Sequence, residues 1–415
     1  MNDTSTPENT SPELNGVVAA QAALAGRRFR RLIGGQEAGI FLVLVFMIVF
    51  FGVQNDKFLQ FYNVSNIIRD FSWIAIPAFG ATMVIITAGI DLSVGSVMAL
   101  SGLAAGFLVS KQDSFLINAL GVEVVPAWVV PAAVLLALCV GALAGLTNGA
   151  LITYARLPPF IATLGMLQIA RGLCYGWSKG QPVQQLPQDF NVIGRHKFSI
   201  PLTDFRGGIK FPMPTVDFDF PLPTLIMLVV AVIAWLFLTR TVWGYRIFAT
   251  GGNSQAAKLS GINTGRTLLL VYTIAGLLGG AGGILMTARL GVAAPTAAQG
   301  YELDVIAAVV VGGTSLMGGE GSILGTLIGA AIMGTLRTGL NMIGVDPYWL
   351  PVAQGIIIIA AITIDQWFRR RQGKRTIDWK AIGDNWRELF RTMQANIALG
   401  DFVAVGCAVV LLVAF

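Results

Sequence analysis

The residues whose types and spacing could do chemistry fall in three stretches, each a set of polar groups among apolar ones. The first is ITAGIDLSVGSVMALSG, Ile86–Gly102, which puts Asp91 and Ser93 beside a long apolar run. An acid at membrane depth is costly and marks a functional position by default. The same carboxylate could instead cap a helix that begins at Leu92. The second stretch, VVGGTSLMGGEGSILGTLIGA, Val310–Ala330, has a similar layout and carries Thr314 and Ser315. The third, TRTVWGYRIFATGGNSQAAKLSGINTGR, Thr239–Arg266, holds Arg240, Arg246, Lys258 and Arg266 and no acid.

In the third stretch the spacing predicts a short helix from Asn253 to Ile262. Asn253 or Ser254 can cap it, and Ala256, Ala257, Leu259, Ser260 and Ile262 give it a small, mildly apolar face. Gly261 can end it. A helix this short is unstable alone, so it makes sense as a contact for something else. The competing reading is an ordinary loop between spans.

The first two stretches share an order: apolar run, glycine, a polar residue followed by leucine, then Gly-Ser entering another run. That suggests a duplicated unit in parallel orientation, set against chance similarity of glycine-rich turns. Glycine there lets backbones approach closely, breaks helices and leaves N–H and C=O groups free for a polar solute or a cavity. Other polar groups sit at span ends or within spans. Glu302 and Asp304 open a run and read first as helix caps. Asn148 and Asn341 read first as bonds across helices. Arg171 and Arg337 are expected to snorkel. Thr163 adds another hydroxyl. Scattered Asn, Thr, Ser and Gln on apolar walls suit a neutral, hydroxyl-rich solute, and no line of buried charges suggests a proton or sodium relay.

Composition fixes the class. Of 415 residues, 55% are hydrophobic and 12% charged, against about 25% charged in soluble domains. The chain reads as an all-α polytopic membrane protein, so its net charge of +6 is no sign of nucleic acid. Cys139, Cys174 and Cys407 lie in apolar runs without metal-ligand spacing, and His196 stands alone in a polar loop. No GxxxxGK[ST] loop occurs, so the chain has no visible ATP site.

The expected spans are Ile40–Val53, Phe71–Thr87, Leu92–Val109, Ala127–Thr153, Phe160–Trp177, Pro221–Leu238, Thr267–Ala288, Val305–Met317, Ser322–Leu340 and Tyr348–Phe368. That makes about ten transmembrane helices, several short enough to be broken. Residues 1–35 read as a disordered, cytoplasmic N-terminus held inside by Arg27, Arg28, Arg30 and Arg31. Residues 36–371 form the membrane domain. Arg156, the basic third stretch, and Arg369 to Arg375 then fall on the inner side. The long outer loop, about Ser178–Phe220, mixes both charge signs. Residues 372–415 suggest an amphipathic interface helix with Trp379, Trp386 and Phe390, then a possible extra membrane segment from Ile397 to Phe415.

ITAGIDLSVGS, LPPFIATLGMLQIARG, GYRIFATGGNSQAAKLSGI and GYELDVIAAVVVGGTSLMGGEGSILGTLIGA together resemble the membrane permeases of bacterial ABC sugar importers, of the ribose/xylose/galactose type. The resemblance runs from about Ile40 to Arg371. It implies a homodimer in the inner membrane, a cytoplasmic ABC ATPase that holds ATP and Mg, and a periplasmic sugar-binding protein, with no cofactor on this chain itself and lipid around it. It also implies that Gly251–Ile262, with Gly252, Asn253, Ala256, Ala257, Lys258, Leu259, Ser260, Gly261 and Ile262, is the helix that couples to the ATPase. Asp91, Ser93, Asn148, Thr163, Glu302, Asp304, Thr314, Ser315 and Asn341 are the candidate lining of a translocation path. The alternatives are an ion-coupled secondary transporter, for which only Asp91 is near mid-membrane, and a membrane enzyme, for which no His, Cys or carboxylate cluster is present.

Overall fold

The computed structural model describes residues 36–110, 126, 128–201, 217–357, 359 and 363. The chain divides into two units, Met1–Thr363 and Ile364–Phe415, and every described residue lies in the first. The expected disordered N-terminus, the basic Arg369–Arg375 run, the interface helix and the segment from Ile397 lie outside the described residues.

A chain surrounded by lipid must pair its backbone groups within each segment, and helices do this. The apolar runs accordingly form α1 (Gln36–Gln54), α2 (Phe61–Ile86), α3 (Val94–Val109), α4 (Val129–Thr153), α5 (Pro159–Ser178) and α7 (Leu222–Arg240). After the polar stretch come α10 (Thr264–Leu290), α11 (Tyr301–Val311) and α12 (Ile323–Met342). Helices α2, α4, α7, α10 and α12 are each long and apolar enough to cross a bilayer. Residues 350–357 are also helical, after a 3₁₀ turn at Pro347–Trp349.

Several boundaries differ from those expected. Helix α2 starts at Phe61, ten residues before Phe71, because its polar first turns find partners: the Ser65 hydroxyl donates to the Asp219 carbonyl at 2.6 Å and Arg69 pairs with Asp70 at 3.1 Å. The span expected to reach Met317 stops at Val311, where Gly312 and Gly313 end it. The described part of the long loop holds secondary structure of its own. It contains α6 (Gln188–Arg195) and an antiparallel hairpin in which β1 (Lys197–Pro201) pairs with β2 (Asp217–Pro221), Lys197 opposite Pro221. His196 follows α6 with its ring edge-on to Phe198.

Two helices sit at the centre. Helix α2 is buried without interruption from Ile74 to Ile86, and Pro77 lies inside it. Helix α10 packs against α2, α3 and α4. Its contact with α4 is backbone on backbone: Gly145 leaves room for the Tyr272 carbonyl and Gly276, and Gly141 for the Gly276 carbonyl. Lipid tails are as apolar as leucine, so such close approach, more than hydrophobic burial, holds membrane helices together. Phe79, Ile76, Met83, Met98 and Tyr272 fill the space between these helices. The loop from Thr241 to Asn263 forms two further short helices.

Candidate functional site

Helix α2 ends at Ile86, and Ala88, with φ of +61°, turns the chain away from it. Asp91 then folds back on Ser93. Its Oδ1 accepts from the Ser93 amide at 2.8 Å and from the Ser93 hydroxyl at 2.6 Å. Ser93, not Asp91, occupies the cap position of α3, which starts at Val94; the expected cap on a helix from Leu92 is therefore corrected to a tight turn two residues earlier. Asn148 of α4 donates through Nδ2 to Ser93 Oγ at 3.0 Å, so it does bond across helices. The Thr163 hydroxyl of α5 lies 3.3 Å from the Ile90 carbonyl. Asp91, Ser93, Asn148 and Thr163 are all buried. Asn148 Oδ1 and Tyr272 Oη have no hydrogen-bond partner among the described residues, and Tyr272 Oη abuts Gly89 of the same turn.

The second break follows α11. Glu302 and Asp304 do not cap that helix: Gly300, with φ of +84°, precedes it and the cap position makes no side-chain hydrogen bond. Asp304 instead pairs with Arg337 of α12 at 2.7 Å, and Arg337 also donates to Tyr301 Oη at 2.7 Å. A buried carboxylate needs such a partner, which corrects the expectation that Arg337 snorkels. Arg171 does not snorkel either, because its Nη1 donates to the Pro295 and Ala297 carbonyls, each at 2.8 Å. The Glu302 carboxylate stands where a Cβ on Gly95 of α3 would be.

Beyond Val311 the turn is held by its own backbone and by the Ser315 hydroxyl. The Ser315 amide donates to the Glu320 carbonyl at 3.0 Å, and the Met317 amide to Ser315 Oγ at 3.2 Å. Thr314 and Ser315 are buried in this turn. Ser322 caps α12 by accepting from the Gly325 amide at 3.1 Å, and Thr82 joins Thr326 at 2.6 Å, tying α2 to α12. Asn341 is exposed in the last turn of α12, at the opposite end from the break, and joins neither cluster.

The polar stretch between α7 and α10 forms α8 (Val242–Gly252) and α9 (Ser254–Leu259). Asn253 Oδ1 accepts from the Gln255 and Ala256 amides at 3.1 and 3.0 Å, so the cap expected at Asn253 or Ser254 falls on Asn253. Gly261, with φ of +81°, closes the other end, and the Ile262 amide donates to the Ala257 carbonyl at 3.0 Å. Ala257 is buried beneath the helix, Gly252, Ala256, Lys258 and Ser260 face outward, and Leu259 is 91% exposed.

The three stretches meet at one place. The Gly319 amide donates to the Ile86 carbonyl at 2.8 Å, and that carbonyl occupies the space of a Cβ on Gly251. Gly252 lies against Gly319, and the Gly251 carbonyl and Ala88 lie against Gly318. From the sequence, the glycines of the first two stretches read as helix breakers that also let backbones approach, but the sequence named no partner for Gly318 or Gly319. The doublets Gly251-Gly252 and Gly318-Gly319 were the signal of backbone contact.

The family described as the branched-chain amino acid transport system permease component matches residues 63–362. The ribose import permease protein of Bacillus subtilis (strain 168) is 40% identical over 334 residues, covering 80% of this chain and 93% of that protein. The fructose import permease protein of Rhizobium meliloti is 36% identical, covering 79% of this chain and 85% of its own. The galactose/methyl galactoside import permease protein of Escherichia coli (strain K12) is 35% identical, covering 80% and 94%. No solved structure matches the chain. With most of α2 through α12 inside the matched region and the relatives aligned over most of their lengths, the chain belongs to this family of transport-system permease components.

Proposed function

We propose that the chain is the permease subunit of an ATP-driven importer that carries a monosaccharide, a pentose or hexose, across the bacterial inner membrane. Its relatives include import permeases for ribose, fructose and galactose/methyl galactoside. The subunit is not itself an enzyme. ATP and Mg sit on a cytoplasmic ABC ATPase, a periplasmic binding protein delivers the sugar, and a second copy of the chain completes the passage. In this reading the N-terminus is cytoplasmic, and about ten crossings form two parallel repeats with broken helices.

The observation that carries the reading is α9. A capped helix of six residues exposes Leu259 and Lys258 while the segment just before it rests on the backbone of both breaks. Such a helix is too short to persist for its own sake, and an exposed leucine on it suits the apolar groove of another protein. Nucleotide-driven closure of the ATPase would move α9, and α9 would move the breaks that border the polar groups around Asp91 and Thr314. A ligand shifts such an equilibrium only by differential binding to the two states; here nucleotide biases the inner side and the loaded binding protein the outer side.

The test is Leu259→Asp, alone and with Lys258→Glu. Both should leave the permease in the membrane yet lose capture of the ATPase and ATP-dependent uptake in proteoliposomes. Unaltered capture and uptake would remove α9 from the mechanism. Concentrative uptake by the permease alone, driven by a proton or sodium gradient, would replace the reading with an ion-coupled one.

A further inference from the structure

We infer that Gly251, Gly319 and the Ile86 carbonyl form a backbone junction that makes the two helix breaks move together, and move with α8. The inference deepens the proposed function and rests on it: Gly251 and Gly319 become positioning residues for the transport step. Three separate parts of the chain converge there, the end of α2, the turn after α11 and the end of α8, and all three contribute backbone rather than side chains. A side-chain contact can rotate away while the main chain stays in place. A hydrogen bond from the Gly319 amide to the Ile86 carbonyl at 2.8 Å, with Gly251 pressed on the same carbonyl, leaves no rotamer to absorb a displacement. Movement of α8 is passed to the Ile86–Asp91 turn and to the Gly312–Ser322 turn at once.

Gly251 shows that the contact is specific. It lies within α8, where no left-handed backbone is needed and alanine would be the better helix former. Its lack of a side chain is explained by the approach of the Ile86 carbonyl. The next residue, Gly252, has open space where its own Cβ would stand. Two adjacent glycines of one helix thus differ in the one respect that matters. Gly319 is restricted twice, by its φ of +76° and by Gly252 against it. The junction is reinforced on one side by Gly318, whose Cβ position is taken by Ala88 and the Gly251 carbonyl.

The experiment compares Gly251→Ala with Gly176→Ala, on α5 with open space at its Cβ position, in the assembled importer reconstituted in nanodiscs or proteoliposomes with its ATPase and binding protein. Gly176→Ala should transport as the unaltered complex does. In Gly251→Ala uptake per ATP hydrolysed should fall by roughly 5- to 150-fold, the span of ordinary coupling free energies. Wild-type uptake per ATP in Gly251→Ala, or equal losses in both variants, would overturn the junction. If Gly251→Ala does not assemble, amide exchange on the unaltered complex decides. Slow exchange of the Gly319 amide with and without nucleotide supports the junction, and fast exchange in either state overturns it. Failure of the unaltered permease to capture an ATPase would instead overturn the proposed function, and the exchange of Gly319 can be read on the permease alone.

Discussion

Removing Arg337 tests the buried contact between α11 and α12. Arg337→Leu deletes an ion pair to Asp304 at 2.7 Å, a hydrogen bond to Tyr301 Oη at 2.7 Å and the stacking of the guanidinium 4.9 Å from the Tyr301 ring centre. The Asp304 side chain is 4% exposed, so the variant leaves a charge buried without a partner. Breaking one side of a buried pair costs about 3–5 kcal/mol. Arg337 is itself 34% exposed, and solvent screening of that end places the expected loss near the lower value, about 3 kcal/mol. Asp304→Asn should lose less, because it leaves no carboxylate charge buried and keeps an oxygen that can accept from Arg337. The double variant Arg337→Leu with Asp304→Asn should be more stable than the sum of the single losses by about 0.5–3 kcal/mol, the signature of coupled neighbours. Equilibrium unfolding of the purified protein in mixed micelles, followed by circular dichroism, measures all three. Losses that add to within about 0.5 kcal/mol would refute the pairing as a source of stability.

Two further expectations follow from single contacts. Asn253→Ala removes the cap of α9 and should destabilise that helix by about 1 kcal/mol, read as faster amide exchange at Gln255 and Ala256 and weaker ATPase capture; unchanged exchange would show that packing beneath Ala257 holds the helix alone. Gly145→Val forces a branched side chain against the Tyr272 carbonyl and Gly276 and should destabilise the α4–α10 contact by at least about 1–3 kcal/mol. Gly172→Ala on α5, with open space at its Cβ position, is the matched control, and equal behaviour of the two would refute close backbone approach as the bond between α4 and α10.

The sequence carried the apolar helices well and their polar ends poorly. Runs such as Leu222–Arg240 announce themselves because they are apolar almost throughout. The first turns of α2 did not, because Ser65, Arg69 and Asp70 look like loop until Asp219 of a distant hairpin satisfies one of them. Charge reading erred in the same way. Arg337 and Arg171 were expected to reach for the interface, yet each has a partner far along the chain, Asp304 for one and the Pro295 and Ala297 carbonyls for the other. Asn253 and Gly261 were legible because capping is decided within a few residues. The meeting of Gly251, Ile86 and Gly319 was not, because a backbone contact between residues so distant in sequence leaves only the absence of side chains as its trace.

Pro77 gives α2 a property that its burial conceals. Proline has no amide hydrogen, so the Trp73 carbonyl one turn earlier lacks its usual donor, and Gly282 of α10 stands against both residues. A strut that runs from the hairpin at Asp219 to the Gly319 contact therefore has a knee along its length, where flexing sacrifices no ladder bond.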